Sequence, residues 1–131
     1  MAGQPRHIYV NVPVRDVAAS AELFRAAGFD LDDAVASDEV ACIVLSEHAR
    51  VLMQAEPRFA EFAAKPVADA HVATEAILCV TAESREEVDA LADGALAAGA
   101  SPANEPVETD SQYLRSFHDL DGHLWEIIHT T

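Results

Sequence analysis

Basic residues are scarce in this chain: eight Lys and Arg stand against 23 Asp and Glu over 131 residues, a formal charge of −15. Phosphate backbones are held by clustered Lys and Arg, so a nucleic-acid surface is excluded. Cysteine is scarcer still. Cys42 and Cys79 each sit inside a β-like apolar run, without CxxC or Cys/His spacing. They read as buried free thiols of a reducing compartment rather than a disulfide framework or zinc site. Long apolar runs are missing although half the residues are apolar, and no segment approaches the ~20 residues that span a bilayer. The opening MAGQPRHIYV lacks the charged start and apolar stretch of a secretion signal. A soluble, cytoplasmic protein without a nucleic-acid or membrane partner is the expectation. Neither a Ser-His-Asp constellation nor a glycine-rich phosphate loop can be assembled.

What is present is periodicity. In HIYVNVPV, residues Ile8, Val10, Val12 and Val14 alternate with His7, Tyr9, Asn11 and Pro13, the pattern of a strand with one apolar side. Asp16 is placed to cap a helix through VAASAELFRAA, with Val17, Ala21 and Phe24 at helical spacing and Gly28 to end it. DLDD reads as a loop, EVACIVLS and RVLMQA as a hairpin, and EPRFAEFAAKPVADA as a short helix plus linker. The order then recurs. TEAILCVTA alternates as a strand, Ser84 and Glu87 form an S-x-x-E capping box, and Val88, Leu91, Ala92 and Ala95 stripe a second helix that Gly99 ends. His118 to Gly122 reads as a turn before the last strand, HLWEIIH.

Two copies of β-α-β-β-β predict an α+β fold: two modules forming a curled mixed sheet around a cleft, with helices on the outer face. As a single domain it divides into module one (6–56), a linker helix (57–70) and module two (72–131). Side chains on the strand face away from the helices then point into the cleft. In DLDGHLWEII, the bulky Trp125 and Ile127 belong against the helices, which leaves Leu124, Glu126 and Ile128 on the other side. An ionised carboxylate in so apolar a strand is costly unless paired or bound.

YVNVPVRDVAASAELFRAAGF resembles the opening strand and helix of the vicinal oxygen chelate superfamily, and DLDGHLWEI resembles its closing signature. That superfamily includes glyoxalases, bleomycin-resistance proteins and extradiol dioxygenases, and the resemblance covers nearly the whole chain. It implies four cleft-facing ligand positions, falling here on Tyr9, Met53 (with Leu52 or Gln54 as alternatives), Glu75 and Glu126. Two carboxylates without histidine suit a hard divalent ion with waters better than zinc. Glu75 and Glu126 are therefore the candidate metal ligands, and Glu126 the candidate catalytic group.

The histidines His71, His118, His123 and His129 lack the i, i+4 spacing of a zinc pair and read as loop or surface residues. Tyr9, Met53, Glu75, Ile77, Arg115 and Glu126 are the candidate ligand-binding residues, although a salt bridge is the alternative role for Arg115. Two function classes follow. One is a protein that binds a small molecule in the cleft with a degenerate metal site. The other is a divalent-metal-dependent lyase, isomerase or dioxygenase using Glu126 and Glu75. The apolar cleft-side set Ile77, Leu124 and Ile128 leads to the expectation of a homodimer.

Overall fold

The computed structural model describes residues 3–131. The alternation in the first strand becomes β1 (Ile8–Val14), where Val12 and Val14 are buried while Tyr9 and Asn11 are exposed. Ile8, at the strand's start, is 58% exposed, so the apolar side is covered only toward its end. Asp16 caps α1 (Val17–Ala27) by accepting the Ala19 N–H at 3.0 Å. Gly28 closes the helix at φ +109°, a conformation only glycine adopts without strain. DLDD is not simply a loop. It contains β2 (Asp30–Leu31) and a 3-10 turn over Asp33–Val35, which forms because Asp32 accepts the Ala34 N–H. The hairpin is β3 (Val40–Val44) and β4 (Ala49–Ala55), followed by α2 (Glu56–Ala63).

β5 (Ile77–Thr81) leads into α3 (Arg85–Ala97). Ser84 Oγ accepts the Glu87 N–H at 3.1 Å as the capping box requires, but the Glu87 carboxylate reaches back one residue further, to the Glu83 N–H at 3.0 Å. Two short strands, β6 (Ser101–Pro102) and β7 (Val107–Glu108), both pair with β8 (Gln112–His118), which pairs with β9 (Leu124–Thr130). Pro102 and Pro106 confine this interrupted strand to a sheet edge, because proline cannot donate to a ladder.

The chain forms two compact units. The first, up to Arg25 together with Phe29–Val67, contains a four-stranded mixed sheet in the order β1-β4-β3-β2. β1 and β4 run parallel and the remaining pairs antiparallel. The second, Ala26–Gly28 with Ala68–Thr131, contains a five-stranded sheet on the path β5-β9-β8-β6, with β7 beside β8. Here the parallel pair is β5 with β9. Neither sheet closes into a barrel. The expected α+β architecture is therefore present, as two mixed sheets with three α-helices among the described residues.

Each unit has its own core. Val12, Val14, Val51 and Met53 are buried in the first, with Leu23 and Phe24 of α1. In the second, Phe117 and Trp125 pair across β8 and β9 with their rings parallel, 6.4 Å between centroids, on the side covered by α3. The DLDGH turn is organised by Asp119, a buried carboxylate that accepts N–H bonds from Asp121, His123 and the Trp125 indole, each at 3.0 Å. Burial pushes its pKa above the ordinary carboxylate value despite those donors. No helix among the described residues is long and apolar enough to cross a membrane.

Candidate functional site

Strand pairing decides which side chains share a face. In the first unit Tyr9 pairs with Arg50, Asn11 with Leu52 and Pro13 with Gln54, so these six lie on one side of the sheet. Met53 pairs with Val12 on the other side and is 1% exposed. The expectation that Met53 stands with Tyr9 is thus corrected: Leu52 and Gln54, both kept as alternatives, share that face. Tyr9 is itself 56% exposed.

Above this face lies α2, none of whose eight residues is buried. Its Arg58 donates from Nε to Gln54 Oε1 at 3.1 Å, and Gln54 Nε2 donates to Asn11 Oδ1. Gln54 is only 8% exposed, so its amide needs these partners. Asn11, Gln54, Arg58, Phe59, Phe62 and Ala63 line a cavity of about 530 Å³. That volume falls in the range of small-molecule sites, roughly 300–1,000 Å³. Phe62 is 71% exposed, with the Arg58 guanidinium 5.8 Å from its ring centroid. Arg58 and Phe62 were legible as an i, i+4 pair on one side of the short helix, but nothing in the sequence indicates that this side meets β4.

On the same sheet face Arg50 donates to Asp32 at 2.7 Å, which holds the Asp32 carboxyl below its ordinary range. A second cavity, about 560 Å³, opens between α1 and the 3-10 turn. Two of its rim carboxylates are engaged, Asp32 by Arg50 and Asp33 by Arg25.

In the second unit Ile77, Cys79 and Thr81 of β5 share a face with Leu124, Glu126 and Ile128 of β9. Trp125 and Ile127 are fully buried on the opposite, helix-covered side, as their bulk predicts. Cys79 and Glu126 are direct partners across the parallel ladder. Cys79 is exposed, which corrects the expectation of a buried thiol. Leu78 and Val80 take the inward positions, and Cys79 has the outward parity between them. Partial burial raises the Cys79 pKa, and the adjacent Glu126 carboxylate, which accepts the thiol hydrogen, raises it further. Ser116 pairs with Glu126 from β8 and accepts the Asn104 N–H at 2.9 Å.

Glu75 and Arg115 stand apart from this row. Glu75 is exposed and precedes β5, whose first residue is Ile77, so it has no strand parity at all. Arg115 pairs with Ile127, on the helix side, where Nη1 donates to Asp89 at 3.0 Å and Asp93 at 2.7 Å. The alternative role foreseen for it, a salt bridge, is the one the structure displays.

The donor set does not fit a divalent ion. Of the two candidate carboxylates, Glu75 lies off the strand, and the neighbour of Glu126 is a thiol whose partial burial, together with Glu126 itself, disfavours the thiolate a metal would need. The Gln54 amide oxygen is engaged by a guanidinium, whose charge opposes a cation there. No group of three or more His, Cys, Asp or Glu side chains that could hold a metal ion occurs among the described residues.

Comparison with known proteins adds to this geometry. The family model described as the Glyoxalase/Bleomycin resistance protein/Dioxygenase superfamily matches residues 6–127. No curated protein matches the chain. Among solved structures, a hypothetical protein from S. aureus superposes with a TM-score of 0.80 at 24% identity, covering 97% of this chain and 95% of that one. A glyoxalase/bleomycin resistance protein/dioxygenase family enzyme from Burkholderia phytofirmans PsJN gives a TM-score of 0.74 at 22% identity, covering 94% and 97%. TnmS3, an antibiotic binding protein from Streptomyces sp. CB03234, gives 0.65 at 17% identity, covering 100% and 99%. At these identities the likeness is one of fold.

Proposed function

The chain belongs to the glyoxalase/bleomycin resistance protein/dioxygenase superfamily, and from that premise we propose that it binds a small organic molecule on the sheet faces that its core-forming helices do not cover, without using a metal. The observation that carries this reading is the cavity of about 530 Å³ under α2, walled by Phe59 and Phe62 over the Asn11 and Gln54 amides. Aromatic walls with a few fixed polar groups are what a small-molecule site requires. In the second unit, the outward face with Glu126 and Cys79 among Ile77, Leu124 and Ile128 supplies a further apolar surface with polar points. Binding by an antibiotic binding protein of the same fold supports the class of function, not the ligand.

The test is elemental analysis of the purified protein with thermal-shift screens of divalent ions and of a library of small organic molecules. The metal response should be flat, while a ligand at about a hundred times its Kd should stabilise the fold by roughly 2.7 kcal/mol. Glu126→Gln should leave the metal response unchanged. Stoichiometric tightly bound metal, lost in Glu126→Gln, would overturn the reading in favour of a metal-dependent lyase, isomerase or dioxygenase. The expected homodimer is part of the proposal, supported by Ile8, Tyr9 and Ile77, each more than half exposed. A monomer in sedimentation at micromolar concentration would remove it.

A further inference from the structure

The hydrogen-bond chain beneath α2 has a direction. A guanidinium only donates, so the Gln54 atom that meets Arg58 Nε at 3.1 Å is the carbonyl oxygen. The Gln54 amide nitrogen is left to donate to Asn11 Oδ1, and Asn11 Nδ2 donates in turn to the Tyr9 carbonyl at 3.1 Å. Each amide oxygen thereby accepts one bond and keeps one lone pair. The larger share of what the chain still offers is hydrogens: the second N–H of each amide and the Nη groups of Arg58.

Charge points the same way. Arg58 is the one ionised residue lining the cavity among the described residues. Its other neighbour, the exposed Glu39, stands 3.7 Å from Nη1, too far for a hydrogen bond. The overall charge of −15 opposes an anion at long range. That repulsion is screened over about 8 Å at physiological salt, whereas Arg58 acts at contact. The remaining walls are two phenyl rings and Ala63, on a helix that buries nothing and so is free to adjust around a flat occupant.

Resting on the small-molecule reading above, we propose that this cavity takes a planar aromatic or conjugated carboxylate, with its ring against Phe59 and Phe62 and its carboxylate on Arg58. The Asn11 and Gln54 amide hydrogens set the orientation of its acceptor atoms. Arg58 is a specificity-determining residue, because a matched amine would bring two cations together and leave the amide hydrogens without acceptors.

Three probes of one shape separate the alternatives: 2-naphthoate, 2-naphthamide and 2-naphthylmethylamine, titrated calorimetrically into the full chain. Naphthoate should bind saturably and most tightly. Arg58→Met should weaken naphthoate at least tenfold and leave naphthamide within about threefold, while Arg58→Lys restores part of the loss. Phe62→Ala should weaken all three probes alike. Both positions are exposed, and circular dichroism with melting curves establishes that the variants fold. An amine that binds as tightly as the acid, or naphthoate binding indifferent to Arg58→Met, overturns the proposal. So does failure of all three probes. In either case the library screen described above still reads small-molecule binding on its own, so the failure of the ligand class is distinguishable from failure of the function.

Discussion

α3 and α2 are both helices laid against a sheet, yet they differ in almost every interaction that fixes a helix. α3 buries Val88, Ala92 and Ala95 and is capped by Ser84. Its Asp89 accepts from both Tyr113 Oη, at 2.6 Å, and Arg115. α2 buries no residue, has no side-chain cap, and ends at Ala64 with φ 62°, where α1 and α3 are closed by glycines. The first helix completes a core. The second leaves its phenyl rings, Phe59 and Phe62, around an open cavity. Apolar side chains left outside the core are available for a ligand, which is why the proposed recognition site falls on the least stabilised helix.

The contrast can be broken most forcefully at the α3-covered face. Trp125→Ala should cost about 3–5 kcal/mol, because a fully buried indole leaves a cavity and strips Asp119 of a donor. Phe24→Ala should cost a similar amount in the first unit, where that ring is also fully buried. Urea denaturation measures both. A variant as stable as the parent would mean these faces are not cores.

Ala64→Gly sharpens the comparison from the other side. Relieving a left-handed alanine should raise stability by about 1 kcal/mol and tie α2 down as glycine ties its counterparts. No gain in melting temperature would mean that α2 is not limited by its C-terminus.

The polar clamp on α3 has a pH signature. The Tyr113 hydroxyl first, then Arg115, holds the Asp89 carboxyl below its ordinary 3.8. Its contribution is therefore present above that value and is lost as pH falls through the lower, folded one. Asp89→Asn should cost about 0.5–1 kcal/mol at neutral pH. The gap to the parent should close as pH falls below 3.8 and through the lower, folded value. A gap that is constant across this window would mean that the charge of the Asp89 carboxylate contributes nothing to it. Smallest of all, Phe62→Ala should change stability by less than about 0.5 kcal/mol, since the ring is 71% exposed. A larger loss would mean that α2 is structural after all.

Much of this was legible in the chain. Period-two alternation located β1, β5 and β9 and turned Trp125 inward, because a side chain's face depends only on its own strand's parity. Asp16, Ser84, Gly28 and Gly99 marked helix ends through local backbone chemistry. The family resemblance rested on the order of these units. What parity cannot supply is the pairing register between strands. Met53 and Gln54 are neighbours in sequence on opposite faces, and only the pairing of Val12 with Met53 decides which of them stands with Tyr9. Glu75 looked like a strand residue until the ladder began at Ile77.

Arg115 and Arg58 show the same limit for charge. Composition registers an arginine, but its role depends on the partner within reach: Asp89 and Asp93 hold the one in the second unit, while Gln54, the exposed Glu39 and the Phe62 ring surround the other at the wall of a cavity. Sequence by itself determined the long strands and helices, most of their caps and the family, because those depend on residues a few positions apart, whereas the two-residue strands β2, β6 and β7 carry too short a pattern to be read. The tertiary structure alone decided the candidate site, because it is made by residues such as Asn11, Gln54 and Arg58, which only strand register and helix placement bring within hydrogen-bond distance.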